Sequence, residues 1–495
     1  MARRFPMLTL FVAAVLALPA TAGAKLPKNF LWGVATAGFQ GDMGPGAPSD
    51  PNSDWWAWVR DPQNVQQKRV SGDLPEQGGS QWTKYKADAA LARNKLNANA
   101  YRLSIEWSRI FPRSTEGATT TAELDALADP SALAHYRAQL QAIRAAHMTP
   151  FVTLNHFTLP IWLHDPIAAR NAFAGVGPDD PPPSFPNSGW LDPRAPTEFA
   201  RYAGYVAGKL GDLIDYYSPI NEANAVAVQG YINIPGVFAT WYPPGVTNYR
   251  AVVDALFAQA AGNAAAYDAV KAQDPTARVG LVQHFIAFRP KRPGQRIDRT
   301  GTQHADYLFN RTFLEAAVNG DYDANADGVI DPAEHHPELA HKADYLGINY
   351  YRTGEVTGLP QSLSKSIPLY DFIPKVEYTK KDCPSTCSDL GWNISPGSLR
   401  SLIPALGKRY RLPMYITENG IADSRDRLRA KFIRDHVEAV RSAVRAGSDV
   451  RGFFYWSLED NLEWSDGYAP KFGLFTKPRK MRPSAKVFRA ETLKR

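Results

Sequence analysis

Residues 412–456 read LPMYITENGIADSRDRLRAKFIRDHVEAVRSAVRAGSDVRGFFYW. The stretch opens on a short apolar run, LPMYITE (412–418), and closes on another, VRGFFYW (450–456). Between them, RDRLRAKFIRDHVEAVRSAVRAG (425–447) repeats its apolar residues at helical spacing. Two β-rich runs joined by an amphipathic helix make a βαβ unit. Such a unit predicts a parallel sheet, because only a long crossover brings the chain back to start a second strand in the same direction.

Working outward, six more runs of the same kind precede it. They are FLWGVAT (30–36), NAYRLSI (99–105), TPFVTLN (149–155), DYYSPIN (215–221), RVGLVQ (278–283) and ADYLGIN (343–349). Helical stretches lie before the second, third and fourth: ALARNKL (90–96), ALAHYRAQLQAIRAAH (132–147) and PTEFARYAGYVAGKL (196–210). Eight runs alternating with helices predict an α/β protein built as a single (β/α)8 TIM barrel with elaborated βα loops, over residues 25–495. No G-x-G-x-x-G turn follows the first run, which counts against an open dinucleotide-binding sheet. No repeat or low-complexity tract interrupts the pattern.

A barrel places chemistry at the C-terminal ends of its strands. The residues closing the runs here are Asn155–His156, Asn221–Glu222, Asn349–Tyr351, Glu418–Asn419 and Trp456, which the barrel would bring to one rim. Two of them are glutamates, Glu222 and Glu418, each ending an apolar run. Glycoside hydrolysis needs such a pair: an acid to protonate the leaving oxygen and a carboxylate on the other side of the anomeric carbon.

FLWGVATAGFQ, YRLSIEWSRIFP, TLNHFTLPIWL, NEANAV, ADYLGINYY, ITENGIAD and WSLEDNLEW together resemble family 1 of the glycoside hydrolases, in order and spacing, over nearly all of residues 26–490. DPNSDWWAWVRDP and VSGDLPEQGGSQW look closest to its archaeal β-glycosidase branch. The resemblance implies a retaining β-glycosidase with Glu418 as nucleophile and Glu222 as acid/base. It implies Arg102 as the cation facing Glu418, which keeps that carboxylate ionised, and Tyr351 as the hydroxyl touching it. It implies Gln40, His156, Asn221, Glu463 and Trp464 as the binding set of the first sugar subsite, with Trp456 as its stacking floor. Glu463 should accept hydroxyls 4 and 6. Phospho-sugar members carry Ser there, with Lys and Tyr shortly after; this chain has Glu463, Pro470 and Phe472. A carboxylate repels a 6-phosphate, so the expected substrate is an unphosphorylated β-glucoside, β-galactoside or β-fucoside, small or oligosaccharidic.

Two departures stand out. The family usually has Pro after the acid/base, where this chain has Ala223, and Trp after the third-strand histidine, where it has Phe157. The first is expected to loosen the turn after Glu222, the second to alter a sugar contact. Two rival functions share the fold: a transglycosidase on the same site, and a carbohydrate-binding pseudoenzyme. The second is expected to lack a catalytic carboxylate, and both are present.

The first 24 residues carry Arg3 and Arg4, an apolar run from Met7 to Leu18, and Ala22 and Ala24 in an A-x-A arrangement, the layout of a cleaved signal peptide. The expected destination is therefore periplasmic or extracellular, with no membrane association after cleavage. Aromatic residues make up 12% of the chain, which suits stacking on sugar faces. The net charge of +7 is mild for 495 residues and is spread without a basic tract, which argues against nucleic-acid binding. Nothing in the sequence fixes an oligomeric state, and an oligomer is compatible with it. The two cysteines, Cys383 and Cys387, are either a short-loop disulfide or two free thiols.

One motif lies outside the family pattern. DANADGVIDPAE (323–334) fits the calcium loop D-x-N-x-D-G-x5-E. Asp323, Asn325, Asp327 and Asp331 would offer side-chain oxygens, Val329 its carbonyl, and Glu334 two oxygens, with Ile330 turned inward. A structural Ca2+ is the expectation; no cofactor is expected for catalysis.

Overall fold

The computed structural model describes residues 26–232 and 241–494; the predicted leader, residues 1–24, lies outside them. The strands are β1 (Leu31–Ala35), β2 (Ala100–Ser104), β3 (Thr149–Asn155), β4 (Tyr216–Ile220), β5 (Arg278–Val279), β6 (Leu281–Pro290), β7 (Leu346–Gly358), β8 (Phe372–Lys375), β9 (Met414–Asn419) and β10 (Val450–Trp456). All eight predicted runs are strands, the fifth divided between β5 and β6. Neighbours along the path β5-β4-β3-β2-β1-β10-β9-β7-β6 pair in parallel.

The path closes on itself, because its two end strands are separated only by Gly280. The Gly280 N–H donates to the Tyr217 carbonyl at 2.9 Å, the Glu222 N–H donates to the Val282 carbonyl at 2.9 Å, and Asn221 and Val282 form a parallel bridge. A Cβ at Gly280 would lie 2.5 Å from the Tyr345 ring, so the seam requires glycine. The result is the expected (β/α)8 barrel.

Aromatic side chains fill the barrel beneath its C-terminal rim. Phe151 lies 5.0 Å from Tyr216 and 5.1 Å from Phe454, and Tyr345 lies 5.3 Å from Tyr415, between ring centroids. This stack is a rigid floor for whatever sits on the rim.

Three elements differ from the sequence reading. The helix predicted from 425 begins at Arg429, because the Asp423 carboxylate takes the N–H groups of Leu428 and Arg429 at 2.7 and 2.9 Å and stops the turn there. Helix Tyr249–Gln273 carries alanines and other apolar residues on its outer side as well as its buried one, so no contrast of polarity announces it. Strand β8, four residues long, pairs antiparallel with the outer end of β7 and extends the rim wall. Among the described residues no helix is long and apolar enough to cross a membrane.

Candidate active site

The rim gathers the predicted catalytic residues into one hydrogen-bonded circuit. Glu418 closes β9, and Arg102, fully buried on β2, forms an ion pair with its Oε1. The Tyr351 hydroxyl donates to Glu418 Oε2 at 2.5 Å. Arg102 also donates through Nη2 to Asn221 Oδ1 at 2.7 Å. Asn349, paired with Glu418 in the β7–β9 register, accepts the Thr417 hydroxyl at 2.7 Å and thereby has its amide orientation fixed. Its Nδ2 donates to Asn221 Oδ1 at 3.1 Å and to Glu222 Oε1 at 2.7 Å. A continuous path therefore runs from Glu222 through Asn349, Asn221 and Arg102 to Glu418.

Glu222 occupies a left-handed backbone conformation (φ 51°) at the cap of helix Ala223–Tyr231. A non-glycine residue there costs about 1–3 kcal/mol. Its N–H is held by Val282 and its carbonyl accepts the Ala225 N–H at 2.9 Å, so the turn is fixed without a following proline. Both bonds form with Ala223 in the place of the family's proline.

Burial first, and the neighbouring Glu418 charge second, push the Glu222 carboxyl up to about 8; the Asn349 amide, Arg102 and Arg352 pull it partly back. Glu222 is thus a proton donor at neutral pH, beside a carboxylate held by a cation and a hydroxyl. The two environments separate one acid from one carboxylate, as double displacement needs.

Above the circuit lies a cavity of about 700 Å3, open to solvent at its mouth. His156, Asn221, Trp456, Glu463 and Trp464 line it, as expected of sugar-binding residues. The His156 ring lies 5.8 Å from Trp456 and 6.0 Å from Trp464, nearly parallel to both. Burial and the Arg102 charge hold His156 well below its usual value, so it is neutral. Burial, then Asp466, Glu418 and Glu222, push Glu463 well above the carboxylate range. Gln40 is buried, with its Nε2 donating to the Leu462 carbonyl at 2.8 Å. Gln40 Oε1, His156 Nδ1 and Glu463 Oε2 are buried polar atoms with no protein partner among the described residues, as expected of groups meant for hydroxyls. Phe157 lies on the wall, 4.7 Å from the Trp464 ring.

Several wall residues escaped the sequence reading. His284, on β6, places Nδ1 3.6 Å from Glu222 Oε2; burial and Arg352 lower it to about 3, which keeps it neutral. Arg352, Glu377, Trp392 and Asp466 form the outer wall. Arg352 was legible only as the residue after Tyr351, and Trp392 sits in a loop without periodicity.

The acidic loop does not form the expected cage. Asp323 Oδ2 accepts the Tyr307 hydroxyl at 2.8 Å and the Gly328 N–H at 2.7 Å. Asn325, Asp327 and Glu334 likewise accept loop amides. Among the described residues no three His, Cys, Asp or Glu side chains gather for a metal. Ile330, expected to turn inward, is exposed, as is Val329. Loop amides satisfy the carboxyl oxygens instead, so calcium rests on the spacing alone. Cys383 and Cys387, left open by the sequence, form a disulfide.

Comparison with known proteins agrees with this geometry. The family model of glycosyl hydrolase family 1 matches residues 22–170 and 181–492. A β-galactosidase of Pyrococcus woesei is 37% identical over 491 residues, covering 91% of this chain and 92% of its own length. Beta-glucosidase A of Thermotoga maritima is 28% identical, covering 91% and 92%. The crystal structure of the β-glycosidase from Thermosphaera aggregans superposes with a TM-score of 0.82 at 33% identity, covering 95% of this chain and 97% of that one. The chain belongs to glycosyl hydrolase family 1.

Proposed function

We propose that this chain is a retaining β-glycosidase in which Glu418 is the nucleophile and Glu222 the acid/base. One observation carries the reading. A protonated carboxyl and a carboxylate held by Arg102 and Tyr351 share one rim, joined through Asn349 and Asn221. In the first step a Glu418 oxygen bonds to the anomeric carbon as the glycosidic C–O bond breaks, and the Glu222 proton passes to the departing oxygen. In the second, Glu222, now a carboxylate, takes a proton from water. The water oxygen bonds to the anomeric carbon and the Glu418 ester breaks. Two inversions return the β anomer.

The relatives' names support β-galactosides and β-glucosides as substrates, and Pro470 and Phe472, standing where phospho-sugar members carry Lys and Tyr, support unphosphorylated sugars, β-fucosides included. Both catalytic carboxyls are in place, which disfavours a pseudoenzyme; a transglycosidase would need an acceptor that outcompetes water. A panel of aryl β-glycosides with proton NMR of the first product anomer tests the reading: β product is expected, and α product refutes it. Glu418→Ala should abolish turnover. Glu222→Ala should slow poor leaving groups far more than activated aryl glycosides.

Export is part of the proposal, supported by the leader pattern and by the Cys383–Cys387 disulfide, a bond that persists in oxidising compartments. N-terminal sequencing of protein from the producing cells should begin at residue 25. A structural calcium at 323–334 is proposed on the spacing alone; calorimetric titration of chelator-stripped protein should release or absorb heat below millimolar calcium, and silence refutes it.

A further inference from the structure

The deep part of the cavity is accounted for by the sugar that reacts; its outer wall is not. Arg352, 7% exposed, is pinned by Glu377, whose Oε1 accepts from Nη1 at 3.1 Å. The guanidinium carbon lies 4.6 Å from the centre of the Trp392 ring. Trp392 packs 5.6 Å from Tyr351, and its indole N–H donates to the same Glu377 oxygen at 3.3 Å. Only one Arg352 donor has a protein acceptor among the described residues. Asp466 lines the same cavity: burial most, then Glu377, raise its carboxyl to about 6, and Arg352 lowers it.

Depth tells which end of the substrate meets these side chains. Arg102 and Asn221 are fully buried at the floor, whereas the Glu377 side chain is 47% exposed at the mouth. Arg352 also acts on Glu222, the group that hands its proton to the leaving oxygen. The Arg352 wall therefore lies on the leaving-group side, a statement that rests on the function proposed above.

We infer that Arg352 is the specificity-determining residue of this leaving-group side, and that its substrate class is a β-linked disaccharide or oligosaccharide whose leaving group is a neutral sugar. The chemistry selects among leaving groups. A guanidinium with spare donors, two carboxyls able to accept, and an indole face are what a ring bearing many hydroxyls on an apolar underside requires. An anionic leaving group would meet Glu377 and Asp466 against a single cation. A purely apolar one would leave the remaining Arg352 donors without an acceptor. Arg352 here supplies hydrogen bonds, and Glu377 and Trp392 hold it in place.

The test compares wild type with Arg352→Met on a β-linked glucosyl disaccharide, phenyl β-glucoside and methyl β-glucoside. A hydrogen bond to a charged donor in a buried site is worth about 10- to 100-fold in rate. We expect kcat/KM for the disaccharide to fall by that factor, with phenyl and methyl glucosides changed less than about 3-fold. Arg352→Lys should restore part of the loss and serves as the second variant should the methionine protein not fold. Equal losses on all three substrates would overturn the inference, because loss of acid catalysis through Glu222 also slows phenyl and methyl glucosides. An unchanged disaccharide rate would overturn it too. A wild-type enzyme that cleaves none of the three would instead refute the underlying glycosidase reading.

Discussion

Replacing Glu418 by Gln removes the charge that, after burial, does most to raise Glu222. The size of the effect follows from the geometry that retention demands. Carboxyl groups about 5–5.5 Å apart in a medium of effective dielectric about 20 repel by about 3 kcal/mol, or about 2 pH units. Wild-type Glu222 sits at about 8, so it should fall to about 6 in the variant, and the unpaired Arg102 charge would draw it down rather than up. The same change occurs in catalysis when Glu418 becomes an ester. Glu222, having given its proton to the leaving group, must then stay a carboxylate to serve as a base. The assay is a 13C NMR titration of glutamate-labelled Glu418→Gln, with Glu222→Gln in the same background to assign the signal. The wild-type partner measurement is the basic limb of kcat/KM, expected near pH 8. A Glu222 signal titrating at or above the wild-type value would refute the reasoning, as would a basic limb below pH 6.

Other outcomes follow from the same site. Glu222, raised when folded, contributes stability that is full below its unfolded value of 4.5 and is lost as pH rises through about 8. Glu222→Gln mimics the protonated form at every pH, so by thermal melting it should match wild type at pH 4.5 and exceed it at pH 9, by about 5 kcal/mol at most. Glu463→Ala should lower kcat/KM on β-glucosides about 10- to 100-fold and on β-fucosides less, since a fucoside lacks hydroxyl 6; steady-state kinetics on the aryl pair decides it. Replacing Cys383 and Cys387 with Ser opens a loop of five residues, a loss of about 2 kcal/mol at most by chain entropy, and should lower the melting temperature without changing kcat.

The barrel was legible because its strands are apolar on both faces and its helices on one. LPMYITE and VRGFFYW announce themselves as runs, and RDRLRAKFIRDHVEAVRSAVRAG as a stripe. Glu222 and Glu418 stood out for the same reason: charges at the ends of apolar runs must face something other than the core. The outer wall had no such signal. Arg352 continues a strand, Trp392 and Glu377 come from a loop, and Asp466 follows Trp464 in a short 3-10 turn, so only the folded chain brings them together. Helix Tyr249–Gln273 was hidden by apolar residues on its outer side as well as its buried one. The acidic loop meets every position of a motif by spacing, and in the folded chain its own amides reach the same oxygens.

The seam at Gly280 has a consequence for how the enzyme acquires its activity. The bond from the Glu222 N–H to the Val282 carbonyl is one of those that join the two ends of the strand path. Glu222 and Val282 lie 60 positions apart, whereas β1 pairs with β10 across 421 positions, Leu31 opposite Gly452, so a near pairing sets the proton donor and a distant one, slow for that reason, completes the barrel between Arg102 and Glu418. During refolding from denaturant, helical signal should return first and hydrolysis last, with no partly active species between. Turnover of an aryl glycoside is then a direct clock for the completion of the fold.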